Sequence, residues 1–572
     1  MPFHVVVIGA VALGPKAACR FKRLMPEGTV TLIDMSDRIS YGGCGIPFFV
    51  SGEVNRIEDL RTTPYGVVRD TAFFRRAKGV HVITGTRAVA VDRQKKIVRV
   101  EELRTAEVHE LAYDKLVLAT GSRPKIPAIP GGTLAGIGAA VTLDDAERIR
   151  SAVATGGVNA AVVVGGGFIG LEMAVALADL WGIPVSVVEV APHILPANLS
   201  PLLAKMAAKD LETNGVNVFC NEKVQRFEGE DGKVARVITD KRTIEADLVV
   251  MATGIVPDTT LAADAGLALS ESGLILVDEH LRTSDPNIYS GGDAAAITNL
   301  ITGKPAHFPL GSQANRQGRV IGTNLAGGNA TFPGAVGAWG LKMFKQSAAG
   351  SGLTLTQAQN AGFDAISVHV EQIDRAHFYP EHDMMALELV VEKNTRRVLG
   401  IQGVAAAGDA LTSRINAVSP ILAARGTTSE ISNLEVVYSP PFAAAMDIVN
   451  VLGNVAENTL EGKSRVLDPE EFLHLWETRD TNDVYFLDTR DENSAAPYVA
   501  ANLGDWHSIP QDQLRERLCE LPTNAKLILV CNTGLRAYEA QLVLDECGLI
   551  DTRAVAGGLV AVTRAGGEIA RE

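Results

Sequence analysis

Residues 160–172 read AAVVVGGGFIGLE, and this stretch decides the fold. The β-branched run Val162-Val163-Val164 stops at Gly165-Gly166-Gly167, and Phe168-Ile169-Gly170 then opens an apolar, Ala-containing helical stretch. Glycines there allow a tight turn, close approach of a pyrophosphate to backbone N–H groups, and close packing of helix on strand. Glu189 ends the next strand-like run, 24 residues after Gly165. A carboxylate in that place accepts hydrogen bonds from a ribose 2′-OH and repels a 2′-phosphate. The turn therefore predicts a dinucleotide site that takes NAD rather than NADP.

The same plan recurs along the chain. HVVVIGAVALG at 4–14 echoes the decisive stretch, and LVLATGSRP at 116–124 is echoed by VVMATGIVP at 249–257. Short β-branched runs bounded by glycine alternate with Ala-rich helical stretches, the pattern of βαβ units in a doubly wound sheet. The second glycine turn falls between the two ATG segments, so one nucleotide-binding unit is inserted into the other. The first turn, Gly9-Ala10-Val11-Ala12-Leu13-Gly14, is less regular, with Val11 at the middle glycine position. Pro15 suits the first turn of a helix, and Asp34, 25 residues after Gly9, takes the ribose-binding place. After about residue 325 the strands DAISVHVEQ, MMALELVVE and VLGIQGVAA mix with helices, which predicts an α+β region. Gly453–Ser464 reads as a linker, and VYFLDTRDE and KLILVCNTGLRAYEA mark a further α/β unit.

Composition narrows the function classes. The chain has 572 residues, and 53 Lys+Arg against 67 Asp+Glu leave a net charge of −14. At about 100–200 residues per domain, three or four domains are expected. The acidic balance argues against a nucleic-acid groove, which needs a concentrated basic face. Six scattered cysteines make no disulfide framework, and neither cysteines nor histidines show metal-site spacing. No metal is expected. Two uncharged stretches, 151–171 and 320–341, are long enough to span a bilayer, but glycines with Asn or Pro break both. The apolar N-terminus lacks a preceding basic region and reads as a buried strand. A cytoplasmic protein with no membrane partner is expected.

TSDPNIYSGGD at 283–293 completes a pattern. With the two glycine turns and the two ATG segments it resembles the pyridine nucleotide-disulfide oxidoreductases, which carry FAD and NAD(P)H. That resemblance implies FAD contacts at Gly9, Gly14, Asp34 and Asp293, and NAD contacts at Gly165, Gly167, Gly170 and Glu189. Glutathione-reductase-like members carry two cysteines spaced C-x4-C after the first ribose acid. Here SYGGCGIPFFVSG holds only Cys44, and Phe49 stands where the second would fall. One thiol cannot store two electrons as an internal disulfide, so it must cycle as a sulfenic acid or as a mixed disulfide with a substrate thiol. This layout resembles the coenzyme A-disulfide reductase, NADH oxidase and NADH peroxidase branch. Cys44 enters a helix from a Gly-rich loop, where the helix N-terminal field is expected to lower its pKa.

Within that branch, PLGSQANRQGR (309–319), HFYP (377–380) and VYSPPFAAAMDIVN (437–450) resemble segments of the coenzyme A-disulfide reductases. Arg20, Lys22 and Arg23 form a basic cluster suited to the 3′,5′-ADP phosphates of coenzyme A, or else a solvated helix face. The resemblance carries Tyr379 and Tyr438 over as tyrosines that point from a partner subunit at the active thiol, where a phenol could protonate a leaving thiolate. Departures from the family pattern are Gly43 before the cysteine, Phe378-Tyr379 for a tyrosine pair, and Phe442 after the double proline.

Over 465–572 the chain resembles a rhodanese. Cys531-Asn532-Thr533-Gly534-Leu535-Arg536 follows a strand and precedes a helix, a loop whose N–H groups can hold a persulfide anion. Asp488 and Gly557-Gly558 match further landmarks, while NLGDWHSIP replaces the usual GHIPGA stretch. Catalytic roles are expected for Cys44, Tyr379, Tyr438, Cys531 and Arg536. The expected organisation is 1–124 FAD-binding, 125–252 NAD-binding, 253–328 FAD-binding, 329–455 dimerisation, and 465–572 rhodanese. The expected activity is NADH-dependent reduction of a small-molecule persulfide, polysulfide or coenzyme A disulfide by a homodimer using FAD, NAD(H) and coenzyme A. An NADH oxidase or peroxidase, or a flavoprotein redox sensor, are the other readings.

Overall fold

The computed structural model describes residues 3–481 and 483–569. The chain divides into two compact units, Met1–Val190 with Glu222–Gly337, and Ala191–Asn221 with Ala338–Glu572. Both units mix helices with sheets, parallel in some and antiparallel in others.

In the first unit the strand His4–Ile8 lies between Thr29–Ile33 and Lys115–Leu118, all parallel, with Ile288–Ser290 beyond the latter. Val5, Val6 and Val7 are fully buried, as expected for a parallel strand covered on both faces. A second parallel set is centred on Ala161–Val164, paired with Val185–Val188 and Leu248–Met251. Each central strand runs into a glycine turn and then a helix, Leu13–Leu24 or Phe168–Ala178. Both turns therefore lie at the carboxyl ends of parallel strands, where open α/β sheets bind ligands.

The second unit contains an antiparallel sheet in the order Trp339–Lys342, Ser347–Gly352, Val398–Ala405, Met384–Glu392, Ala365–Ile373. Helices Gly408–Ala423 and Ile448–Leu460 accompany it. A parallel five-stranded sheet follows, in the order Val466–Leu467, Thr552–Val555, Lys526–Val530, Val484–Asp488, Trp506–Ser508. Its core stacks Phe472, Trp476, Phe486 and Trp506.

The linker expected at Gly453–Ser464 is mostly helix, because Ile448–Leu460 runs on through it. Gly453 is a packing residue there: a Cβ on it would lie 2.5 Å from Ser432 N. The connection shrinks to the few residues before Arg465. Among the described residues no helix is long and apolar enough to cross a membrane.

Candidate active site

The two glycine turns are built alike. Gly9 and Gly165 have φ of +105° and +112°, and a Cβ on Gly9 would lie 2.1 Å from Ala119 O, on Gly165 2.3 Å from Ala252 O. A Cβ on Gly14 would lie 1.9 Å from Gly9 O, and one on Gly170 would lie 1.9 Å from Gly165 O. Only glycine permits these approaches. Gly167 differs, since nothing lies within 4 Å of its Cβ position. Its bareness leaves room beside the backbone.

The acidic residues brace the turns. Asp34 accepts from the N–H groups of Ala10 at 2.7 Å and Ser36 at 2.8 Å. Burial pushes its carboxyl up despite those bonds. Glu189 accepts from Gly166 N–H at 2.6 Å. Asp293 accepts from Ser122 Oγ at 2.8 Å, which ties the first ATG segment to the GGD turn. Gln317 accepts from Gly292 N–H at 2.7 Å through Oε1, while its Nε2 and the Oε1 of Gln313 are buried with no protein partner. Buried polar atoms are normally paired, so a polar ligand beside this turn fits. The tight glycine cradles, the paired acids and the orphaned amides together fit FAD at the first turn and a nicotinamide nucleotide at the second.

Cys44 lies in the single turn Gly43–Gly45 that leads into helix Ile46–Ser51, and it is exposed. Gly42 N–H donates to Leu60 O at 2.8 Å, fixing the loop from behind. Phe49, in the second-cysteine place, is buried against the Arg150 guanidinium, 4.4 Å from its ring centroid. Arg150 Nη1 also donates to Phe49 O and Val54 O, and Trp181 Nε1 donates to Val50 O at 2.7 Å. The expected lowering of the Cys44 pKa is corrected. Desolvation pushes the thiol up, and the Glu172 carboxylate, then Asp293, add to it. A one-turn lead-in to a six-residue helix is too weak a dipole to reverse this. Glu172, on the helix after the second glycine turn, is itself pushed up to about 7 by burial. Nothing in its sequence context had singled it out.

The basic cluster is partly tied down. Lys22 Nζ donates to the carbonyls of Pro26 and Gly28 in the turn after its own helix, while Arg20 Nε donates to Thr323 Oγ1 at 3.1 Å. Desolvation, then repulsion by Arg319 and Arg23, lowers the Arg20 pKa. The structure thus groups Arg20 and Arg23 with Arg319, a residue inside the quoted 309–319 segment.

In the second unit, the loops of Tyr379 and Tyr438 are brought together. Ala376 N–H donates to Pro440 O, and Gln372 Nε2 to Met446 O. Arg414 staples both, donating to Asp374 O at 2.9 Å, to Phe442 O at 3.1 Å and to Asp447 at 2.7 Å. On these loops Tyr438, Phe378, Val437, Phe442 and Met446 are exposed.

Cys531 is buried at the head of its loop, and Gly534 N–H donates to its Sγ at 3.1 Å. Arg536 is half-buried on helix Leu535–Glu546. Asp488 is buried and accepts from Arg490 at 2.7 Å and Trp506 Nε1 at 3.1 Å. Among the described residues no group of His, Cys, Asp or Glu could hold a metal ion.

The family model for pyridine nucleotide-disulphide oxidoreductases matches residues 3–318, and that for their dimerisation domain matches 340–448. The chain is a pyridine nucleotide-disulphide oxidoreductase. Its cofactors are FAD and a nicotinamide nucleotide. The NAD(P)H sulfur oxidoreductase (CoA-dependent) of Pyrococcus abyssi is 35% identical over 79% of this chain and 97% of its own length. An NADH oxidase of Methanocaldococcus jannaschii is 30% identical over 80% of this chain and 100% of its own. The solved NAD-dependent persulfide reductase from A. fulgidus is 38% identical, with a TM-score of 0.91 over 98% of this oxidoreductase and 100% of that chain.

Proposed function

We propose that this oxidoreductase reduces a small-molecule persulfide, polysulfide or coenzyme A disulfide with NADH, using Cys44 as its single redox thiol. The observation that carries this is Phe49. With a packed phenyl ring in place of a second cysteine, Cys44 has no intramolecular partner thiol in its own loop. The named activities of the P. abyssi and A. fulgidus relatives support it.

In this reading the Cys44 thiolate attacks the inner sulfur of a persulfide RS–SH. A Cys44–S–S–R mixed disulfide forms and hydrosulfide leaves, the ordinary exchange chemistry. When bound, NADH and FAD supply the electron pair that cleaves this bond to Cys44 thiolate and RSH. A tyrosine phenol, Tyr379 or Tyr438, hands a proton to the departing sulfur. Arg20, Lys22 and Arg23 hold the phosphates of a coenzyme A carrier, with Arg319 beside them. The ribose carboxylates are Asp34 for FAD and Glu189 for NADH. Residues 1–124 and 253–328 form the FAD-binding domain, 125–252 the NAD-binding domain, and 329–455 the dimerisation domain. The exposed apolar side chains on the Tyr379 and Tyr438 loops suit a homodimer interface in a cytoplasmic enzyme.

Residues 465–572 act as a rhodanese domain. Cys531 thiolate takes sulfane sulfur from a donor, releasing the donor's thiol or sulfite, and passes it on as a persulfide with Arg536 beside the loop. The M. jannaschii relative favours a second reading, in which Cys44 cycles as sulfenic acid with O2 or peroxide as acceptor. NADH consumption separates the two. Brisk turnover with coenzyme A persulfide or polysulfide supports the proposal; turnover with O2 or peroxide alone overturns it.

A further inference from the structure

His369, on strand Ala365–Ile373, is buried between two carboxylates. Its Nε2 lies 3.4 Å from Glu371 and its Nδ1 lies 3.5 Å from Glu388, directly across the strand pair. Glu371 lies two residues on, and pairing with Met384–Glu392 supplies Glu388. Ser200 Oγ donates to Glu388 at 2.8 Å, and Asp468 interacts electrostatically with His369 and Glu388. Burial alone would depress the imidazole, but Glu371 and Glu388 outweigh it and push it up to about 9. Both carboxylates thus favour the protonated imidazole.

The remaining charge comes from the C-terminal helix Gly558–Arg564. Arg564 Nη1 donates to Glu371 at 2.6 Å, and its Nη2 reaches Val404 O at 3.3 Å. At the other end of that helix, Gly557 rests on the same cluster. A Cβ there would lie 2.8 Å from His369 Cδ2 and 2.9 Å from Glu371 Cγ. The first N–H groups of the helix face the other way. Leu559 N–H donates to Cys531 O at 2.9 Å and Val560 N–H to Asn532 O at 3.0 Å. Gly558, with φ of +59°, has no room for a Cβ, which would lie 2.4 Å from Cys531 O. One short helix therefore joins the cluster to the backbone of the Cys531 loop.

We infer that Glu371, His369 and Arg564 are positioning residues that seat the Cys531 loop by clamping helix Gly558–Arg564 onto the antiparallel sheet. This rests on the reading of Cys531 as a sulfur carrier. The clamp acts through the helix, whose amides hold the two carbonyls that shape the loop. A neutral pair in its place leaves the helix packed but less fixed, and misplacement by about 1 Å can slow catalysis about a hundredfold.

The test uses the full-length flavoprotein, with thiosulfate as sulfur donor and cyanide as acceptor. Hydrogen exchange of residues 531–536 is read alongside. Arg564→Ala and Glu371→Gln are expected to lower sulfur transfer about tenfold or more and to speed exchange in that loop. Arg564→Lys, which keeps the charge on Glu371, is expected to recover most of both. Wild-type transfer and exchange in Arg564→Ala would overturn the clamp, as would equal damage in the Lys and Ala variants. Should Glu371→Gln fail to fold, Arg564→Ala decides alone, because its side chain lies nearer the surface. Cys531→Ser separates the two ideas. Retained transfer there sinks the sulfur-carrier reading, whereas loop exchange in the Arg564 variants judges the clamp without any chemistry.

Discussion

Arg414 and Asp447 form a buried ion pair at 2.7 Å, each side chain no more than 5% exposed. Asp447 also caps helix Ile448–Leu460 through Val449 N–H. Removing one partner strands the other charge, which costs about 3–5 kcal/mol. Arg414→Ala is therefore expected to lower the denaturation midpoint by that equivalent, and to loosen the segments of Tyr379 and Tyr438 in hydrogen exchange. A midpoint within experimental error of wild type would show that the pair is not the staple.

The two glycine turns should separate by cofactor. Gly14→Ala places a methyl against Gly9 O and is expected to yield protein with little bound flavin, seen in its absorption spectrum. Gly170→Ala, against Gly165 O, is expected to retain flavin and to raise KM for NADH about tenfold or more. Glu189→Ala should lower the preference for NADH over NADPH, read as the ratio of kcat/KM values.

Glu172 sets a pH dependence. Its carboxyl, pushed up to about 7, is neutral below that pH and charged above it. Charging opposes the Cys44 thiolate, whose own pKa is already raised. Alkylation of Cys44 by iodoacetamide is expected to rise with pH, but to lag above pH 7. Glu172→Gln removes the lag and speeds alkylation at pH 8 about threefold to tenfold. For stability, a raised carboxyl pKa contributes fully below the unfolded value, near 4.5, and is lost as pH climbs through 7. Glu172→Gln should flatten thermal stability over that window.

His369 works in a higher window. With a folded pKa of about 9 against 6.5, its contribution is complete below 6.5 and disappears as pH rises through 9. Wild-type melting temperature is expected to fall across pH 6.5–9 by the equivalent of at most about 3 kcal/mol. His369→Gln should remove that slope. An unchanged slope would assign it to other groups.

The doubly wound fold was legible because its strands are continuous apolar runs ending on glycines that tolerate no Cβ, as at Gly14 and Gly170. The thiol at Cys44 was legible because one short loop carries it, with Phe49 five residues on. What escaped were pairings set by tertiary contact. Arg414 meets Asp447 across 33 residues, His369 meets Glu388 only through strand register, and Arg564 meets Glu371 from 193 residues away. The Cys44 pKa escaped for a related reason. Local helix polarity is readable from sequence, whereas desolvation of the thiol and the neighbouring Glu172 depend on how helix Phe168–Ala178 packs near the Cys44 loop.

In the proposed mechanism Cys44 alone carries the redox chemistry on sulfane sulfur. The most direct measurement is anaerobic NADH oxidation with coenzyme A persulfide, comparing wild type with Cys44→Ser at equal flavin content. The expected result is stoichiometric sulfide release by wild type and a loss of at least about a hundredfold in Cys44→Ser. Equal rates in the two proteins, or no sulfide from wild type, would contradict it.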